Sequence, residues 1–239
     1  MKTIGILGGM SWESSIEYYR LINQLVKQRL GGLHSAKSVM VSVDFAPVEA
    51  CLARGEWEQV GAYLVDAARQ VESAGADLLL IATNTMHKLY DRVCQAVTIP
   101  VLHIADAAGE QILEVGLTRV GLLGTKYTME QGFYRARLED QFGVEVLVPG
   151  EDDRVLVDRI VFEELVLGII KQESKVEYQR VINDLIGQGA QGVILGCTEI
   201  PLLIQAQDVA VPVFDTTFLH AESAVRFALD NGKTGDQRG

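Results

Sequence analysis

Two short runs carry the side chains with chemical potential, and their surroundings match. Gly75-Ala76-Asp77-Leu78-Leu79-Leu80-Ile81-Ala82-Thr83-Asn84-Thr85 and Gly189-Ala190-Gln191-Gly192-Val193-Ile194-Leu195-Gly196-Cys197-Thr198-Glu199 each pass from a Gly-Ala turn through an apolar run to three polar residues. Cys197 therefore stands where the earlier copy has Thr83. Apolar runs of this length read as buried strands, and parallel sheets bind ligands beyond the carboxyl ends of their strands. A thiol at the start of a helix there has a lowered pKa and serves as base or nucleophile. The other reading of Cys197 is a small residue demanded by packing beside Gly196. Asn84 and Thr85 read as caps of a following helix whose side chains also face a ligand.

The elements that position these runs echo each other as well. Ile99-Pro100-Val101 is answered by Val211-Pro212-Val213, and the opening Ile4-Gly5-Ile6-Leu7-Gly8-Gly9-Met10-Ser11 by Val120-Gly121-Leu122-Leu123-Gly124-Thr125-Lys126-Tyr127. Matched stretches in the same order predict an internal duplication. The expected fold is α/β, with two similar three-layer domains built on parallel sheets and related by a pseudo-twofold axis. The first domain would take residues 1–104 plus about 215–239, the second about 105–214. Thr83 and Cys197 would then lie on opposite walls of an interdomain cleft.

Along the chain, strand 3–7 enters Gly8-Gly9-Met10-Ser11 and a helix through Ile16 and Val26. Strand, glycine turn and helix expose backbone N–H groups to an anion, although the dinucleotide spacing Gly-x-Gly-x-x-Gly is absent; a turn needed only for packing is the alternative. A second strand is expected at Ser38 to Phe45. Cys51 in the next helix reads as inert packing, and Arg54 as a surface residue or a ligand contact. Met86 to Cys94 reads as a helix with Cys94 on its apolar face; His87 serves there either as an acid or base or as an ordinary polar helix residue. Strands are expected at residues 99–104 and 119–124. The hydroxyl-rich turn Gly124-Thr125-Lys126-Tyr127-Thr128 suits a carboxylate or is a plain helix cap. A strand at 144–148, helical periodicity over 161–171 and 178–186, a strand at 208–214 ending near Asp215, a helix at 217–229 and a frayed tail complete the pattern.

Composition bounds the function. The chain has 239 residues, 48% of them hydrophobic and 22% charged, enough for a sizeable core. A net charge of −11 opposes nonspecific binding to nucleic acid or anionic membranes. No run reaches transmembrane length and the opening segment is too short and Gly-rich for a signal peptide, so a cytoplasmic location is expected. Cys51, Cys94 and Cys197 have no metal-type spacing and form no disulfide framework.

In Gly8-Gly9-Met10-Ser11, Thr83-Asn84-Thr85, Gly124-Thr125 and Gly196-Cys197-Thr198-Glu199, taken in order across nearly the whole chain, the sequence resembles the aspartate/glutamate racemase family. The resemblance implies a homodimer that acts on small-molecule amino acids without a cofactor. It also implies two-base transfer of the α-proton, with one thiol on each face of the substrate. On these positions Cys197 and Thr83 would be catalytic. Met10, Ser11, Asn84, Thr85, Thr125, Thr128, Thr198 and Glu199 would bind substrate, with Asn84, Thr85, Thr125 and Thr198 donating to the α-carboxylate and Glu199 tuning Cys197 or receiving the ammonium. Thr83 departs from the family cysteine, which implies a preference for L-substrates, and basic residues for an acidic side chain are not in register, which widens the expected range. A cofactor-free decarboxylase of the same superfamily and a cytoplasmic amino-acid-binding sensor are the alternatives.

Overall fold

The computed structural model describes residues 1–230; the tail expected to fray beyond them lies outside the described residues. Strands β1 (Ile4–Gly8), β2 (Ser38–Ser42), β3 (Leu78–Ile81) and β4 (Val101–Leu102) form a parallel sheet in the order β2-β1-β3-β4. Strands β5 (Arg119–Gly124), β6 (Glu145–Leu147), β7 (Val193–Gly196) and β8 (Val213–Asp215) repeat that order as β6-β5-β7-β8. The helices are α1 (Trp12–Leu30), α2 (Phe45–Ala53), α3 (Trp57–Ser73), α4 (Tyr90–Cys94), α5 (Ile104–Glu114), α6 (Lys126–Glu130), α7 (Phe133–Phe142), α8 (Glu151–Glu163), α9 (Gln172–Gly187), α10 (Ile200–Leu203) and α11 (Thr216–Leu229). In each sheet the chain reverses its direction of winding between the two central strands. Ligands favour the carboxyl ends of strands at such a point, which here means the ends of β1 and β3 and of β5 and β7.

The chain packs as two compact units. Of the described residues, one comprises Met1–Ala82, Leu89–Leu102 and 220–230; the other comprises Thr83–Lys88 and His103–Leu219. The division expected from the sequence puts residues 83–88, 103–104 and 215–219 in the first domain, whereas all three segments group with the second unit.

Alternation along the strands makes each unit three-layered. In the first, Ile4, Ile6, Leu78 and Leu80 pack with Tyr18, Ile22 and Val26 of α1 and Ala221 and Val225 of α11. Gly5, on the opposite face, lies so close to Val71 of α3 that a Cβ there would meet its side chain at 2.4 Å. In the second, Val193 and Leu195 pack with α8 and α9 through Val157, Val161, Val181 and Leu185, whereas Val120, Leu122 and Ile194 pack with α5 and α7 through Ile112 and Leu138.

Several expected elements are shorter because a side chain caps the next helix. The second strand ends at Ser42, before Asp44 accepts the Ala46 N–H at 3.3 Å and opens α2. The strand expected over 99–104 is limited to β4, since His103 Nδ1 accepts the Ala105 N–H at 3.1 Å and starts α5. Residues Thr85–Leu89 form a 3₁₀ turn before α4 rather than one helix from Met86, and Cys94 is only half-buried there. Periodicity over 161–171 is interrupted by a 3₁₀ turn at Leu165–Leu167, closed by Gly168 at φ 71°. The final strand is Val213–Asp215, because Gln205 and Asp208 form a capping box around the 3₁₀ turn Ala206–Asp208.

Candidate active site

β7 delivers Gly196 and then Cys197 to the carboxyl end of the second sheet. Gly196 pairs with Gly124 at the end of β5, and the two backbones approach closely. A Cβ on Gly124 would meet the Gly196 carbonyl at 2.8 Å, and one on Gly196 would meet Leu122 and the Leu123 carbonyl at 2.9 Å. The glycines thus let two functional turns lie side by side.

Cys197 is 8% exposed, and its Sγ donates to Glu199 Oε2 at 2.9 Å. Thr198 Oγ1 donates to the same oxygen at 2.6 Å. Burial pushes the Cys197 thiol well above its ordinary value, and the charge and hydrogen bond of Glu199 push the same way, as does the charge of Asp158. The Glu199 backbone N–H bonds to the sulfur and pulls against them. The lowered pKa expected of a thiol before a helix is therefore reversed: that backbone donor is present, but α10 is a single short turn, and burial together with the Glu199 carboxylate outweighs it.

The Thr83–Thr85 turn follows β3 and groups with the same unit as Cys197. Thr85 Oγ1 lies 3.0 Å from Thr125 Oγ1, which in turn lies 3.2 Å from Thr128 Oγ1. Thr125 also caps α6, with its Oγ1 accepting the Thr128 N–H at 3.4 Å. Three buried hydroxyls, one from the turn after β3 and two from the turn after β5, thus share one chain of hydrogen bonds. Asn84 Nδ2 donates to Thr216 Oγ1 at 3.1 Å, and Thr216 Oγ1 donates to the Leu195 carbonyl at 2.9 Å. One of the two Asn84 amide N–H groups is thus engaged by Thr216, and Asn84 Oδ1 is a buried acceptor with no partner among the described residues.

Met10 and Ser11 belong to the first unit. Met10 is buried, and Ser11 caps α1 by accepting the Ser14 N–H on its Oγ at 3.2 Å. The Gly9 N–H is directed to Ser15 Oγ at 2.8 Å. Cys51 is buried with Sγ 3.5 Å from Gln59 Oε1 and 3.6 Å from Arg54 Nη2; Arg54 also meets the Glu56 carboxylate at 2.8 Å. Among the described residues no cluster of His, Cys, Asp and Glu is arranged to hold a metal, and no helix is long and apolar enough to cross a membrane.

Two participants escape a reading of the sequence. Thr216 follows a strand end, a position that carries a signal, but its link to Asn84 spans most of the chain. Asp158 sits on α8, ahead of the helical periodicity expected over 161–171; its carboxylate accepts the Lys126 N–H at 2.6 Å and contributes charge at Cys197.

The model for the Asp/Glu/Hydantoin racemase family matches residues 7–224, nearly the whole of this arrangement. The chain belongs to that family. A crystal structure from Yersinia pestis, described as that of a candidate Asp/Glu racemase, is 54% identical, with a TM-score of 0.91 over 96% of this chain and 100% of the other. An aspartate racemase homologue from Pyrococcus horikoshii OT3 is 37% identical, with a TM-score of 0.85 over 95% and 99% of the two chains. The broad specificity amino-acid racemase RacX of Bacillus subtilis (strain 168) is 22% identical over 227 residues, 93% of this chain and 96% of that one. In this racemase-family chain, the second strand-end turn carries the thiol and the first carries Thr83.

Proposed function

We propose that this chain is a cofactor-independent amino-acid racemase, acting as a homodimer, in which Cys197 is the principal acid and base and Thr83 serves the opposite face of the substrate. The observation that carries this reading is the buried bond from Cys197 Sγ to Glu199 Oε2, at 2.9 Å, in a chain of a racemase family. Burial and the carboxylate keep the proton on sulfur at rest, so the thiol is poised to donate to a carbanion. For the opposite step the thiol proton passes to Glu199, and the resulting thiolate takes the α-proton of the substrate. Sulfur is then a thiol again and Glu199 holds the displaced proton; the Thr83 hydroxyl gives its proton to the opposite face of the carbanion, and the proton held on Glu199 returns to the Thr83 oxygen to reset the site.

Without an electron sink the carbanion needs preorganised donors at the α-carboxylate. The linked hydroxyls of Thr85, Thr125 and Thr128 supply such donors, and Thr198 adds another beside the thiol. Asn84 has two side-chain N–H donors; one is engaged by Thr216 and the other serves the α-carboxylate. A hydroxyl ionises far less readily than a thiol, so Thr83 relays a proton poorly as a base. By the family resemblance the Cys197 face is the L-face, which predicts faster α-proton removal from L- than from D-amino acids, over a range wider than aspartate and glutamate.

Proton NMR of the protein with separate L- and D-amino acids in heavy water tests this. Deuterium should enter Cα of L-substrates, vanish in Cys197→Ser and extend to the D-series in Thr83→Cys. Absence of exchange across acidic, neutral and basic amino acids, or equal rapid exchange of both enantiomers by the native protein, would refute the reading; carbon dioxide release from a disubstituted malonate would replace it with a decarboxylase.

A further inference from the structure

His87 is 2% exposed and both of its ring nitrogens are held by backbone. Nδ1 lies 2.8 Å from the Thr83 carbonyl oxygen, which only accepts, so Nδ1 carries the hydrogen. Nε2 lies 3.2 Å from the Ile104 N–H, which only donates, so Nε2 presents its lone pair. The two partners define a single neutral tautomer. The backbone N–H of His87 also donates to the Asn84 carbonyl at 3.1 Å, so one residue holds two consecutive carbonyls of the turn. The His103 ring packs against it with centroids 4.7 Å apart, and caps α5, whose first residue supplies the bond to Nε2.

A carbonyl held in this way fixes the peptide plane after Thr83 and hence the direction of the Thr83 side chain. Proton transfer is sensitive to such placement, with a shift of about 1 Å able to cost about a hundredfold. We propose that His87 is a positioning residue: in its Nδ1–H tautomer it orients Thr83, and so controls proton transfer on the face of the substrate that Thr83 serves. This rests on the racemase reading for its kinetic consequence, whereas the tautomer and the bond to Thr83 stand apart from it. Generic support of the fold would burden both faces alike; positioning through Thr83 burdens one.

Two substitutions separate these roles. The amide nitrogen of Asn sits as far along the side chain as Nδ1 and keeps a donor for the Thr83 carbonyl. The amide end of Gln reaches as far as Nε2, so it can serve Ile104 and not Thr83. In the Thr83→Cys protein, where D-face exchange is expected to be measurable, His87→Gln should lower the ratio of D- to L-substrate deuteration about tenfold, and His87→Asn should leave it within about threefold. An unchanged ratio in His87→Gln, an equal fall in both variants, or parallel loss on both faces would overturn the proposal. Nitrogen-15 NMR of the native imidazole supplies a readout independent of turnover. A protonated Nδ1, with the Thr83 carbonyl carbon shifted in His87→Gln and not in His87→Asn, upholds the orientation even if no amino acid is exchanged, in which case the racemase reading alone fails. A protonated Nε2, or an unmoved Thr83 carbonyl, refutes it; if His87→Gln does not fold, the Asn variant and the native tautomer decide.

Discussion

Burial and the Glu199 carboxylate hold the Cys197 proton on sulfur, so the thiol ionises only at more alkaline pH than an ordinary cysteine. Removing the carboxylate charge while keeping a polar side chain should bring part of that shift back. In Glu199→Gln the pH profile of Cys197 alkylation, followed by mass spectrometry of the Cys197 peptide, should move to lower pH without reaching that of a free thiol, because desolvation remains. A profile unmoved by the substitution would mean that burial alone sets the acidity. Loss of the proton acceptor should also cut L-substrate exchange by about a hundredfold, within the range for a general acid or base. The sequence made Cys197, Thr198 and Glu199 visible as a group. It could not give the sign of the thiol shift, because that sign depends on where the Glu199 side chain folds back and on how little water reaches the sulfur.

Among the elements, the ends of β5 and β7 show how a sequence pattern becomes a site. Gly124 and Gly196 pair in register and neither has room for a Cβ. Gly196→Ala should therefore destabilise the protein by about 1–3 kcal/mol through overpacking and disturb the thiol that follows. Gly187, at the end of α9, has open space around it, and Gly187→Ala should be neutral or stabilising by about 0.5–1 kcal/mol. Urea denaturation midpoints of the two variants check the contrast; equal midpoints would show that the strand ends relax freely. Strand cores such as Leu78–Ile81 and Val193–Gly196 were legible because an unbroken apolar run has few other uses. Strand ends were not, since Asp44 and His103 start helices through bonds to N–H groups two residues ahead, and a short polar residue in a loop looks the same.

For the whole molecule, the net charge of −11 bears on substrates that are themselves anionic. Raising ionic strength from about 0.01 M to about 0.15 M shortens the screening length from about 30 Å to about 8 Å, which should raise kcat/KM for aspartate and leave that for alanine nearly unchanged. A fall for aspartate would instead point to a locally positive site that overrides the net charge. The duplication, the parallel α/β architecture and the family were all determined by the sequence, because repeated apolar runs ending in Thr83-Asn84-Thr85 and Cys197-Thr198-Glu199 are local patterns that survive without knowledge of contacts. Tertiary structure alone decided which groups those residues meet. It joined Asn84 to Thr216, Thr85 to Thr125, and His87 to both Thr83 and Ile104, and it grouped Thr83–Lys88 with the unit that holds Cys197. Side-chain direction and burial depend on packing from the whole chain, even for pairs as near in sequence as Thr83 and His87, so no single stretch of sequence contains them.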